Sequence, residues 1–114
     1  MALGGCHCGG IRYEADSTAV EDTGICHCSI CRRTSGAPLL AWAFLPDSGF
    51  TLLRGRPSFY RSSPECERQF CATCGCQLFY RPINGPGIGI HTATLDEPET
   101  QEFRPRLHMC KRID

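Results

Sequence analysis

Apolar and polar positions along the chain alternate in short runs rather than recurring every three or four residues. Ile11-Arg12-Tyr13-Glu14-Ala15 alternates with a period of two, the pattern of a half-buried strand. Residues 39–45 are almost wholly apolar and aromatic and lie between Pro38 and Pro46, which suits a buried strand. Further strand-like runs are Phe50-Thr51-Leu52-Leu53, closed by Gly55, then Ser58-Phe59-Tyr60-Arg61 and Gln77-Leu78-Phe79-Tyr80. Residues 87–95 and 106–113 complete the set of expected strands. One short helical turn is expected after Cys28, running through Arg32 and Arg33 and ending near Gly36. Asp96-Glu97-Pro98-Glu99 reads as a turn.

With 12 glycines and 8 prolines punctuating these runs, long helices are disfavoured. The expected fold class is all-β and mainly antiparallel, with short helical turns at most. A length of 114 residues fits one domain, residues 1–114, and no linker interrupts it. The hydrophobic and charged fractions, 41% and 21%, are those of a globular chain rather than a disordered one. Twelve basic and twelve acidic residues cancel, so no electrostatic footprint for nucleic acid or a membrane surface is present. No apolar run approaches the roughly 20 residues of a membrane span. The opening MALGGCHC lacks the pattern of a signal peptide, and a cytoplasmic location is expected.

Ten cysteines require a separate explanation. A disulfide framework and a set of metal ligands compete, and the expected reducing compartment favours ligands. The spacing agrees. Cys-x-Cys occurs at Cys6/Cys8, Cys26/Cys28 and Cys74/Cys76, and such close neighbours converge on one ion more readily than they bond to each other. On an extended backbone, residues i and i+2 point the same way, so Cys6 and Cys8 face together while His7 turns aside. The same reasoning turns His27 away from Cys26 and Cys28. Cys71-Ala72-Thr73-Cys74-Gly75 fits a tight metal-binding turn, with Gly75 free to take a positive φ. A redox Cys-x-x-Cys is the competing reading, but it calls for a following helix, whereas a strand-like run follows here. Cys6, Cys8, Cys71 and Cys74 add up to one complete tetrahedron, leaving Cys26, Cys28 and Cys31 as a local trio. Spacing equally permits Cys6/Cys8 to join Cys26/Cys28 instead.

A longer pattern runs through these residues. It comprises Gly5-Cys6-His7-Cys8-Gly9-Gly10-Ile11-x-Tyr13; Cys26-His27-Cys28-Ser29-Ile30-Cys31-Arg32-Arg33-x-x-Gly36-Ala37-Pro38; and Ser62-Ser63-Pro64. It continues with Arg68-x-Phe70-Cys71-x-x-Cys74-Gly75-x-x-Leu78, Thr94-Leu95-Asp96-x-Pro98 and His108. From about residue 5 to about 112, the chain resembles the glutathione-dependent formaldehyde-activating enzyme family. The resemblance implies the Mss4-like β fold, stapled by zinc. It implies a structural zinc on Cys6, Cys8, Cys71 and Cys74, and a second, catalytic zinc on Cys26, Cys28 and Cys31 with an open fourth position.

Three thiolates suit a soft incoming ligand, and a substrate thiol held as thiolate is nucleophilic. The resemblance thus implies a carbon–sulfur lyase, joining a small thiol such as glutathione to an aldehyde-type carbon or reversing that addition. Arg32 and Arg33, beside the trio, are candidates to offset its negative charge or to bind a substrate carboxylate. Ser62, Ser63 and His91 are further candidates for the pocket. Cys66 and Cys76 fall outside the pattern and are the thiols that would close the second site if folded inward. Cys110 reads as a buried free thiol in a terminal strand. The competing function is a non-catalytic, zinc-stabilised binding module, because the same fold includes a protein that interacts with small GTPases. A methionine sulfoxide reductase shares the fold too, but the surroundings of Cys110 do not match its active-site motif.

Overall fold

The computed structural model describes residues 1–98, 100–104 and 109–110, with the backbone alone considered at 101, 109 and 110. Among the described residues there are ten strands: β1 (Ala2–Gly5), β2 (Arg12–Ala15), β3 (Asp22–Cys26), β4 (Leu40–Leu45), β5 (Phe50–Arg54), β6 (Ser58–Ser63), β7 (Cys66–Phe70), β8 (Gln77–Pro82), β9 (Ile88–His91) and β10 (Met109–Cys110). One α-helix, α1 (Ser29–Ser35), and several single 3₁₀ turns complete the described chain. Strands β1, β2 and β5 form one antiparallel sheet, and β10-β3-β4-β9-β8-β7-β6 form the other. The β10 to β3 pairing is parallel, and the remaining ladders are antiparallel. This is the all-β, mainly antiparallel architecture expected from the sequence.

The two sheets bury their inner faces against each other. Alternation in β2 turns Tyr13 and Ala15 inward, where they meet Ala43 and Leu45 of β4, Leu78 and Phe79 of β8, and Ile88 and Ile90 of β9. Tyr13 stacks on Phe50 with ring centroids 5.6 Å apart and meets Phe79 edge-on at 5.0 Å. Its buried hydroxyl is satisfied by Thr94 Oγ1 at 2.7 Å. Burying side chains of this size stabilises the fold by about 1.5–3 kcal/mol each, so the sheets fix the positions of everything mounted on them.

The cysteine segments sit at strand ends. Cys26 ends β3, Cys66 begins β7, and Cys71 follows β7 directly. Between β8 and β9 the packing is unusually close. Tyr80 of β8 lies opposite Gly89 of β9, and its ring occupies the space a Cβ at position 89 would fill. Glycine therefore lets the tyrosine lie flat across the neighbouring strand. Among the described residues no helix is long and apolar enough to cross a membrane.

Two cysteine clusters and a candidate active site

The nine cysteines whose side chains are described are all free thiols. Seven of them gather into two groups. The sulfurs of Cys6, Cys8, Cys71 and Cys74 all lie within 4.8 Å of one another, as do those of Cys26, Cys28 and Cys31.

In the first cluster, two similar turns present the four sulfurs. Gly9 N–H donates to Cys6 O at 3.1 Å, and Gly75 N–H donates to Cys71 O at 2.7 Å. Gly9 and Gly75 have φ of 79° and 80°, conformations that cost other residues a backbone penalty. The segment around Cys6 and Cys8 is thus a tight turn, not the extended run expected from its spacing. The turn is needed because amides just downstream must bend back onto the sulfurs. Ile11 N–H meets Cys6 Sγ at 3.3 Å, and Cys74 N–H meets Cys71 Sγ at 3.5 Å. Gly10 N–H similarly serves Cys8, and Cys76 N–H serves Cys74.

The Cys6–Cys8 and Cys8–Cys71 sulfur separations are 3.6 and 3.7 Å. Four thiolates at about 2.3 Å from one zinc ion define tetrahedral edges of about 3.8 Å. The set therefore has the size as well as the chemistry of a four-thiolate metal site. The amides of Cys76 and Cys8 pull the Cys74 thiol down to about 6. Cys8 receives the Gly10 amide, yet its neighbours Cys6 and Cys71 push it up to about 11. Neighbouring thiolates repel, and a shared cation removes that conflict. His7 is exposed and stands outside the group.

In the second cluster, Cys26 comes from the end of β3, while Cys28 and Cys31 come from the start of α1. Cys28 is the N-cap of the helix: its Sγ accepts the Cys31 N–H at 3.4 Å, where a serine or aspartate oxygen commonly sits. Gly36, at φ 71°, closes the helix through a bond from its N–H to Arg32 O. Cys26 Sγ is 3.4 Å from Cys28 Sγ and 2.7 Å from Cys31 Sγ. The trio is tighter than the edge of about 3.8 Å in a zinc-filled set, and it remains a soft, convergent donor set of the right kind. All three thiols are buried. Burial and the adjacent Cys31 thiol drive the Cys26 thiol strongly upward, while backbone amides and its two neighbours bring Cys28 down against its own burial.

The charge facing this trio comes from β7. Arg68 is 8% exposed, and its Nη2 lies 3.7 Å from Cys31 Sγ. Its Nε donates to Ser62 Oγ at 3.3 Å, and its guanidinium lies over the Tyr80 ring at 5.5 Å from the centroid. A buried guanidinium requires compensation, and thiolate character on the trio supplies it. Burial pushes the Cys31 thiol up, and Arg68 opposes that push.

Cys26, Cys28 and Cys31 border a cavity of about 360 Å³. Ile30, Leu40, Trp42 and Tyr80 line it, and Ser63, Glu65, Cys66 and Arg68 supply its polar edge. Ser63 is thus among the residues lining the cavity. Arg32 and Arg33 are not among its lining residues. Both are exposed, with Arg32 Nε donating to His27 O at 3.1 Å and Arg33 beside a separate hollow with Thr34, Tyr60 and Phe70. Helical periodicity explains this: it turns Cys31 inward and carries the next two residues to the outer face.

His91 is 2% exposed and is absent from the cavity wall. Its Nδ1–H donates to Gln77 O at 3.1 Å, and burial holds its pKa down to about 4. It is a neutral core histidine. Cys66 borders the cavity but stands outside the trio, whereas Cys76 packs beside the first cluster and receives the His7 N–H. His27 stands outside the trio as well. His108 and most of the expected strand 106–113 lie outside the described residues, where only the β10 backbone is placed, pairing with Ile25 and Cys26.

Arg68 carried no expected role. Its available signal was a charged residue between Cys66 and Phe70 at a spacing of two, on one face of a strand leading into Cys71.

Known proteins share both this sequence pattern and this fold. The family model described as glutathione-dependent formaldehyde-activating enzyme matches residues 1–112. A curated relative from Halomonas elongata, provisionally named as such an enzyme, is 33% identical over 114 residues, covering 93% of this chain and 72% of its own length. A crystal structure of a Rhodobacter sphaeroides protein matches with a TM-score of 0.67 and 27% identity, covering 82% of this chain and 87% of that one.

Proposed function

Because the chain belongs to the glutathione-dependent formaldehyde-activating enzyme family, we propose that it is a zinc-dependent carbon–sulfur lyase acting on a thiol and an aldehyde-type carbon. In this reading Cys6, Cys8, Cys71 and Cys74 hold a structural zinc, and Cys26, Cys28 and Cys31 hold a second, catalytic one. The observation that carries it is the trio itself: three buried thiols, met by backbone amides and one buried arginine, bordering a cavity. A zinc ion held by the trio supplies the Lewis acidity that keeps an incoming thiol ionised.

The remaining work falls to the protein. The substrate sulfur pair forms the bond to the aldehyde carbon, the carbonyl π pair moves to oxygen, and that oxygen takes a proton from water. The reverse reaction breaks the same carbon–sulfur bond and returns the thiol. Three thiolates and one divalent ion sum to a formal charge of −1, and Arg68 balances it without a mobile counter-ion. Arg68 also faces the cavity, where a fixed cation stabilises oxygen charge as it develops. Ser62 holds the Arg68 side chain, and Ser63 offers a hydroxyl at the cavity edge. Unpaired thiols in such number favour a reducing, cytoplasmic setting.

The test is adduct formation. With carbon-13 formaldehyde and a small thiol, exchange NMR measures the rate of S-hydroxymethyl formation, and the zinc-loaded protein should raise it. A rate no higher than that of Cys31→Ser would defeat the proposal. The alternative of a zinc-stabilised binding module has one observation in its favour. Phe59 and Tyr60, on the edge strand β6, are 68% and 59% exposed, and apolar groups so placed suit a partner.

A further inference from the structure

The cavity beside the trio has a sharply divided wall. Its volume of about 360 Å³ lies within the range of small-molecule sites. Ile30, Leu40, Trp42 and Tyr80 make one aliphatic and aromatic surface. Its polar groups are few. Arg68 is the one cation among the described lining residues, too few for two carboxylates, and its Nε and Nη2 already meet Ser62 and Cys31. Glu65 is an exposed carboxylate at the edge.

A peptide thiol such as glutathione brings two carboxylates, an ammonium and two amides. Each polar group moved out of water without a partner weakens binding, and charged groups weaken it most. Glu65 repels the carboxylates. An apolar substituent instead exchanges water for Trp42, Leu40, Ile30 and Tyr80, and gains affinity with every methylene covered.

We propose that this cavity takes a small thiol, or its aldehyde adduct, whose carbon substituent is alkyl or aryl, about the size of a benzyl group. The inference rests on reading the trio as a thiol-activating centre and adds the substrate class. The sulfur lies at the trio, the substituent lies against Trp42 and Leu40, and the aldehyde oxygen lies on the Arg68 side. The covalent step is the addition already written, with the proton coming from water.

Trp42 is the chain's one tryptophan, so its fluorescence reports occupancy of this cavity directly. The zinc-loaded full chain is titrated with benzyl mercaptan, 2-mercaptoethanol and glutathione, each affinity being corrected for the thiolate fraction. Benzyl mercaptan should bind at least about tenfold more tightly than either other thiol. Leu40→Asn should weaken benzyl mercaptan about threefold or more and leave 2-mercaptoethanol within about twofold, at unchanged zinc content. Glutathione binding as tightly as benzyl mercaptan overturns the inference while the thiol-activating reading stands. Equal losses for both small thiols in Leu40→Asn, or none, overturn it in the same way. If no thiol alters either the Trp42 fluorescence or the absorption of cobalt-substituted protein, the thiol-activating reading falls and the inference falls with it.

Discussion

Replacing Arg68 with methionine keeps the aliphatic stem and removes the charge. A metal-loaded trio is a thiolate set carrying a formal −1, and Arg68 sits 3.7 Å from one of its sulfurs. At an effective dielectric of about 20, a unit charge localised on Cys31 interacts with Arg68 by about 4 kcal/mol, and spreading it over the trio reduces this to about 3 kcal/mol. Arg68 is nearly buried, so solvent screening removes little of it. A tenfold change in affinity corresponds to about 1.4 kcal/mol, which places the loss of second-site zinc affinity near a hundredfold. The assay is competition with a colorimetric zinc chelator, which resolves the two ions by affinity. The first site shares no cysteine with the trio and should keep its zinc. If Arg68→Met leaves both affinities within about twofold, the charge-balance argument is wrong, and the buried guanidinium must serve packing alone.

Other perturbations separate the two clusters and the scaffold beneath them. Cys71→Ser should unfold the domain, seen as loss of the cooperative thermal transition, whereas Cys31→Ser should lose one zinc and keep the transition; equal unfolding by both would erase the distinction between the sites. Gly89→Ala forces a methyl group into the Tyr80 ring and should cost about 1–3 kcal/mol in urea unfolding, while weakening thiol binding through the displaced Tyr80 and Arg68. Buried His91 has its folded pKa depressed to about 4 from an ordinary 6.5, so its stabilising contribution is complete above pH 6.5 and is lost as pH falls toward 4. That window is worth about 3 kcal/mol, and His91→Asn, which retains a donor for Gln77 O, should flatten the corresponding part of the pH–stability curve relative to the parent.

Where apolar runs were long or strictly alternating, the strands could be read from sequence, as for β2, β4 and β8. Strand β1, with sequence Ala-Leu-Gly-Gly, escaped because its glycines resemble a turn; Gly4 instead makes room for the Tyr13 ring. Strand β7 escaped for a reason tied to the chemistry. Cys-Glu-Arg-Gln-Phe has no apolar core signature because its inward position is taken by Arg68, which faces sulfur rather than hydrocarbon. Thiol spacing brought out the pairs and the trio because each is local in the chain, but it left open which pairs share a site; the family resemblance implied the grouping of Cys6 and Cys8 with Cys71 and Cys74 that the structure displays. The trio's counter-charge was hidden because it arrives from 37 residues away, through sheet pairing that no short motif records. Arg32 and Arg33 are adjacent in sequence to Cys31 but lie on the outer face of α1 and are not among the residues lining the cavity, a placement set by helical geometry rather than by proximity along the chain.

The central claim is that Cys26, Cys28 and Cys31 form a metal centre that takes an outside thiol, while the four-cysteine site does not. Absorption spectroscopy of the chain loaded with two cobalt ions, titrated with 2-mercaptoethanol, tests it most directly. The account predicts a saturable rise in the thiolate-to-cobalt charge-transfer band that disappears in Cys31→Ser. A spectrum unmoved by the thiol, with both cobalt ions bound, would contradict it.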